Sequence, residues 1–199
     1  MGEKILQPEQ PQTLEEENIK QERLEAQQKT LSKLEKSGLS FLVFGGWAGK
    51  IEGVYDDDYY PQDIDIFINQ NQWEEWQKFL EKNSFSVEME SNKARIKDGK
   101  TGAFVDGHFV KEDATGNFYI EEASHGTFHL PKIGFKKKEL GESSVTVMRP
   151  ELSWILEKGG PEREHKEEKL IKLIGKVDQE NLEKIEKEFK YIPKKNSSE

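Results

Sequence analysis

Asp63-Ile64-Asp65-Ile66-Phe67-Ile68 is a stretch in which carboxylates alternate with isoleucines. Successive side chains of a β-strand point to opposite faces, so Asp63 and Asp65 share one face, while Ile64, Ile66 and Ile68 share the other and belong to a core. Two carboxylates this close on a half-buried strand repel each other, and loss of water raises the cost of the doubly charged pair. A hard divalent cation offsets both effects; magnesium binds a few carboxylates together with waters and substrate phosphates. The plainer alternative is a solvated strand face, and the neighbouring segments bear on the choice.

Upstream, Phe41-Leu42-Val43-Phe44 is an apolar run too short for a helix and reads as a buried strand. It leads into Gly45-Gly46 and then Trp47-Ala48-Gly49-Lys50, where a helix or helical turn begins. Glycines between a strand and a helix let backbone N–H groups approach a polyphosphate; alone, the pair would be an ordinary tight turn. Downstream, Phe104-Val105-Asp106-Gly107-His108-Phe109-Val110 carries Asp106 as a lone carboxylate in an apolar strand, with His108 on the same face. If this strand lies beside the Asp63 strand, three carboxylates converge and can hold two metal ions, a clamp suited to phosphoryl transfer. Asp106 would then stand where an incoming hydroxyl arrives and could take its proton. His108 reads as a packing or hydrogen-bonding neighbour rather than a ligand.

The remaining periodicity outlines a mixed α/β core with helical ends. Residues 1–12, with Pro8 and Pro11 among glutamines, are expected to be a flexible N-terminus, and residues 13–38 a helix closed by Ser37-Gly38. Leu24, Leu31 and Leu34 mark that helix's apolar side, which suits packing on the domain edge better than a coiled-coil seam of so few heptads. The core is expected over 39–150. It contains a helix over 72–81 with Trp73, Trp76 and Leu80 on one side, then short strands near 85–89, 94–97, 103–110, 117–121 and 144–148. Helices are expected over 151–190 and a flexible tail over 191–199.

Composition narrows the function. The chain has 199 residues, a formal net charge of −9 and no cysteine; its mean hydropathy is −0.88. An acidic balance disfavours a broad grip on nucleic acid. The lack of cysteine removes disulfides, thiolate nucleophiles and cysteine-based zinc sites. With no apolar leader, no run of roughly 18 apolar residues and no myristoylation signal, a cytoplasmic protein with no membrane attachment is expected. The run from Asp56 to Asp65 lacks the glycine and distal glutamate spacing of an EF-hand. His125 and His129 have no helix or cysteine partner for zinc, and there is no G-x-S-x-G elbow.

Taken in order, Gly45-Gly46-Trp47-Ala48, Asp63-Ile64-Asp65-Ile66 and Val105-Asp106-Gly107-His108 resemble the nucleotidyltransferase fold, most closely the small aminoglycoside and lincosamide nucleotidyltransferases. The resemblance continues through Met148-Arg149-Pro150-Glu151, Lys158 and Arg163-Glu164-His165-Lys166, covering roughly Phe41 to Ile174. It implies a mixed sheet flanked by helices. It also implies Asp63, Asp65 and Asp106 as magnesium ligands, Asp106 as candidate base, Gly45 and Gly46 holding the triphosphate, and Lys158 and Lys166 meeting phosphate oxygens. The implied reaction transfers a nucleoside monophosphate from ATP or another nucleoside triphosphate to a hydroxyl of a small molecule, such as an aminoglycoside or lincosamide. Two departures stand out: no cation in Asp58-Tyr59-Tyr60-Pro61-Gln62 before the D-I-D strand, and Gly49-Lys50 where the family has an acidic residue. The alternatives are an enzyme of this fold acting on a protein or RNA acceptor, and a non-catalytic module that keeps the fold.

Overall fold

The computed structural model describes residues 14–122, 126–140, 143–161 and 165–193. The expected flexible N-terminus, His125, Arg163-Glu164 and the end of the tail (194–199) lie outside the described residues. Among those described there are six α-helices and ten strands.

The centre of the sheet is built as the alternating pattern requires. Strand β1 (Phe41–Phe44) runs antiparallel to β2 (Ile64–Asn69), with Phe44 opposite Asp65. On its other side β2 runs parallel to β5 (Phe104–Glu112), placing Asp65 opposite Asp106 and Phe67 opposite His108. The conditional pairing drawn from sequence is therefore present. Strand β4 (Lys93–Asp98) flanks β5 antiparallel, with Arg95 opposite Asp106, and β3 (Phe85–Glu90) completes that edge. Beyond β1 lie β9 (Ser143–Met148), parallel to it, and β8 (Phe135–Leu140). The far end of β5 pairs with β6 (Phe118–Glu122), followed by β7 (Gly126–Leu130) and β10 (Lys190–Pro193).

Ile64, Ile66 and Ile68 are fully buried and share one core with Val43 and Val105. Helix α1 (Leu14–Glu35) adds Leu31 and Leu34, and α3 (Trp73–Lys82) adds Trp76 and Leu80. The C-terminal half of α1 is tied in by polar contacts as well. The Trp47 indole N–H donates to Gln27 Oε1 at 3.0 Å, and Gln27 Nε2 donates to the Pro61 carbonyl at 3.1 Å. Thr30 Oγ1 donates to Asp98 Oδ2 at 3.0 Å, and Lys33 pairs with Asp98 at 3.2 Å. The helix is thus packed on the domain, and its exposed large apolar side chains, Leu14 and Ile19, lie in its N-terminal part.

Helix α2 (Gly45–Ile51) follows β1 directly. Helices α4 (Pro150–Gly159), α5 (Lys166–Ile174) and α6 (Gln179–Glu188) follow β9. Pro150 starts α4, where a missing N–H costs nothing. Glu151 Oε1 accepts from the Asp178 N–H at 2.9 Å, linking α4 to the cap of α6. Three strands escaped the sequence patterns. β10 (Lys190–Pro193) runs into the segment from 191 where a flexible tail was expected; β8 is lysine-rich, and β7 contains a glycine and a histidine in five residues. β8 and β10 are each paired on one side only, and such edge strands, with charged or exposed residues, look like loops in sequence.

Candidate active site

Asp65 lies on β2 immediately beside the start of α2. Gly45 has φ +63°, a left-handed conformation, and a Cβ there would collide with Oδ2 of Asp65. The carboxylate fills the space that a side chain at 45 would need, and it accepts a hydrogen bond from the Gly46 N–H. Gly46 is confined in its own way, since a Cβ would lie 2.8 Å from the Tyr59 hydroxyl.

The three aspartates named from sequence are brought to one end of β2 and β5, where they sense one another. Burial, followed by the charges of Asp63 and Asp106, pushes Asp65 up to about 6, against the lowering effects of Lys169 and the Gly46 N–H. Asp63, just before β2, is raised by burial and by Asp106, partly offset by Arg95. Asp106 Oδ2 is 3.5 Å from Lys93 Nζ and its Oδ1 is 3.9 Å from Arg95 Nε. Oδ1 of Asp106 is also buried with no hydrogen-bond partner. As the side chains stand, no group of three His, Asp or Glu among the described residues is gathered closely enough to hold a metal ion. The chemistry of the donor set nonetheless fits a hard divalent cation: Asp63 and Asp65 have raised proton affinity, and Asp106 adds an orphaned buried oxygen.

The two lysines implied by resemblance sit elsewhere. Lys158 Nζ lies 4.4 Å from the centroid of the Trp154 ring. Lys166 is buried and donates to the Gly160 carbonyl at 2.7 Å. Neither lines the cavity that opens at Asp65, whereas Lys169 does. Lys169 is paired with Glu157 at 2.8 Å and its charge acts on Asp65. It stands three residues after Lys166 on α5, a helical spacing the sequence displays without marking which lysine turns inward. Lys93 and Arg95 were also missed. They alternate with buried Ala94 and Ile96, so they share a face, but only the pairing of β4 with β5 aims that face at Asp106.

The two sequence departures have structural counterparts. Gly49 is required because the Tyr55 ring occupies the place of a Cβ, and Tyr55 stacks on Tyr59 at 4.1 Å. Lys50 donates to the carbonyls of Asp57 and Tyr59 at 2.9 and 2.8 Å, anchoring the loop that carries the exposed Asp56, Asp57 and Asp58. His108 meets Phe44 edge-on at 5.3 Å, in keeping with a packing role. The cavity beside Asp65 is about 680 Å³, and its walls include Phe44, Phe67, Phe128, Leu156 and Tyr191.

A family model for aminoglycoside-2''-adenylyltransferase matches residues 28–173, a span that holds all three aspartates, the glycine pair and Lys169. The chain belongs to that family. It is an adenylyltransferase, and its mixed α/β architecture is that of solved nucleotidyltransferases. The lincosamide antibiotic adenylyltransferase LnuA, in a lincomycin-bound crystal structure, superposes with a TM-score of 0.61 at 14% identity, covering 77% of this chain and 97% of that one. The solution structure of the antibiotic-resistance factor ANT(2'')-Ia gives 0.58 at 15% identity, covering 83% and 90%. The crystal structure of ANT(2'')-Ia in complex with adenylyl-2''-tobramycin gives 0.56 at 14% identity, covering 83% and 94%. No curated protein matches the adenylyltransferase by sequence. No helix among the described residues is long and apolar enough to cross a membrane.

Proposed function

We propose that the adenylyltransferase moves the AMP group of ATP to a hydroxyl of a small antibiotic-like molecule in a magnesium-dependent reaction, working in the cytoplasm. The observation that carries this reading is the register of Asp65 against Asp106 on parallel neighbours, directly beside Gly45, in a chain of this family.

Asp63, Asp65 and Asp106 would hold the magnesium, which would supply charge neutralisation to the phosphate oxygens. Gly45 and Gly46, at the start of α2, would hold the triphosphate through the backbone, and Lys169 lines the same cavity as Gly45. The hydroxyl oxygen of the acceptor bonds to the α-phosphorus while the bond to the bridging oxygen of the β-phosphate breaks, releasing pyrophosphate. The hydroxyl proton passes to Asp106. Positioning and charge complementarity carry most of such a reaction. The net charge of −9 speaks against an RNA acceptor.

The test is pyrophosphate release by the full chain across the four nucleoside triphosphates, with hydroxyl acceptors and with or without magnesium. Magnesium-dependent release with ATP is expected, abolished in Asp65→Asn while the variant stays folded. Wild-type turnover in that variant would remove the site from consideration.

A further inference from the structure

Register places four charged residues in one row across the sheet: Glu88 on β3, Arg95 on β4, Asp106 on β5 and Asp65 on β2, each opposite the next. Residues directly opposite one another lie on the same face of a sheet. Asp65 and Asp106 are therefore like charges side by side, and Arg95 stands on the outer side of Asp106. Lys93, two residues before Arg95 on the same face of β4, reaches the same carboxylate. Asp106 Oδ2 lies 3.5 Å from Lys93 Nζ, and Oδ1 lies 3.9 Å from Arg95 Nε. Both cations also act on Asp63.

The partners differ in how firmly they are seated. The Asp106 side chain is 15% exposed, whereas those of Lys93 and Arg95 are 28% and 48% exposed. Lys93 has a second partner in Glu90 at 3.3 Å, and the Arg95 guanidinium rests 5.2 Å from the centroid of the Phe104 ring. Long side chains with their heads near water can change partners while the carboxylate stays in place. Counting charges then separates two ways of loading the site. Asp63, Asp65 and Asp106 against Lys93 and Arg95 leave one negative charge; Lys169, which also acts on Asp65, is matched by Glu157. A divalent ion alone would turn that balance into one positive charge and would push both cations off Asp106 with nothing to receive them. At ion-pair distances such repulsion exceeds thermal energy even near a protein surface. A magnesium–triphosphate complex brings anionic oxygens with the metal, and guanidinium and ammonium groups bond well to these.

We infer that Lys93 and Arg95 are an exchangeable counter-charge, which holds Asp106 while the metal is absent and passes to the phosphate oxygens when magnesium takes that carboxylate. The metal accordingly enters as its complex with the nucleoside triphosphate rather than ahead of it. This rests on the nucleotidyl-transfer reading above, to which it adds two phosphate-binding residues and an order of entry.

The experiment is calorimetric titration of the full chain with magnesium chloride alone and, separately, with magnesium–ATP. Each is run on the wild type, Lys93→Met, Arg95→Met and Lys97→Met. Lys97 is the control: it shares the face of Lys93 and Arg95 but stands opposite Phe104, over whose ring it lies at 5.4 Å. Lys93→Met and Arg95→Met are each expected to bind magnesium alone roughly tenfold more tightly than the wild type, because the ion no longer displaces a cation. Both are expected to bind magnesium–ATP roughly tenfold more weakly, through loss of a charged contact to phosphate. Lys97→Met is expected to match the wild type with both titrants. Magnesium alone binding no more tightly to either variant overturns the inference, as does magnesium–ATP binding undiminished to both. Equal effects in Lys97→Met also overturn it, by assigning them to the general field of β4. Failure of the wild type to bind magnesium–ATP at all overturns the underlying transfer reading, and the inference with it.

Discussion

Gly45 and Asp65 compete for one volume: the Asp65 carboxylate occupies the space into which any Cβ at position 45 would project. The local backbone and the proposed catalytic acid are thereby fixed together. Gly45→Ala must either move the carboxylate or distort a residue already held at φ +63°. The expected outcome is a loss of about 1–3 kcal/mol in stability, measured by urea unfolding, together with loss of pyrophosphate release well beyond what the unfolded fraction explains. Full activity in a destabilised variant would show that Asp65 need not stay where it is.

Asp65 makes the protein pH-sensitive in a defined direction. Its folded-state value is about 6 against 3.8 for an ordinary aspartate, so the folded form binds the proton more tightly than the unfolded form. Below about pH 4 both forms are protonated there and the group is neutral to stability. As pH rises from 4 to 6 the metal-free protein loses about 2–3 kcal/mol through this residue, a penalty fully present at pH 7. Asp65→Asn should therefore be more stable than the wild type at pH 7 without magnesium, with the difference vanishing near pH 4. Magnesium should stabilise the wild type and not the variant. Thermal unfolding over that pH range, with and without magnesium, is the check; parallel pH profiles for the two proteins would contradict it.

The centre of the fold was legible because its signals are local. Alternation in Asp63–Ile68 and the short run Phe41–Phe44 give strands β1 and β2, and the glycines between strand and helix mark the turn at α2. What strand order decides was legible only as a condition: nothing near Asp106 says that it stands opposite Asp65 rather than elsewhere in the sheet. The cations of the site were lost for the same reason. Lys93, Arg95 and Lys169 look like solvated lysines and arginines until β4 and α5 are placed. β10 is four exposed residues ending in Pro193, and its pairing with β7 is a purely long-range fact.

Asp98 provides a test away from the chemistry. Burial pushes its carboxyl up, but the Lys100 N–H, Lys33 and Thr30 together hold it below the usual range, so its ionised form stabilises the fold. That contribution is present above the unfolded value of 3.8 and is lost as pH falls through the lower folded value. Asp98→Ala removes the carboxylate shared by Lys33 and Thr30, which keep Asn83 and Thr101 as hydrogen-bond partners, and loosens α1 from β4; about 3 kcal/mol is expected at pH 7. Urea titration reads this loss, which should shrink in strong acid, while turnover per folded molecule stays at the wild-type value. A fall in turnover at fixed folded fraction would mean that α1 positions the site.

Three lysines make competing claims on the triphosphate, and their surroundings rank them. Lys158 lies over Trp154, so Lys158→Met removes one cation–π contact and should cost under about 1 kcal/mol in stability, with kcat/KM unchanged. Lys166 is buried and donates to the Gly160 carbonyl, so Lys166→Met should lower stability by about 1–3 kcal/mol and disturb kinetics only through the α4–α5 connection. Lys169 alone of the three lines the cavity at Asp65, and its removal should cost roughly 100-fold in kcat/KM for ATP. Because Lys169→Met also breaks the ion pair with Glu157, the paired variant Lys169→Met with Glu157→Gln separates the effects. Stability should recover in the double variant while kcat/KM stays low. If the kinetic loss instead follows Lys158 or Lys166, the phosphates lie further along the C-terminal helices than the cavity indicates.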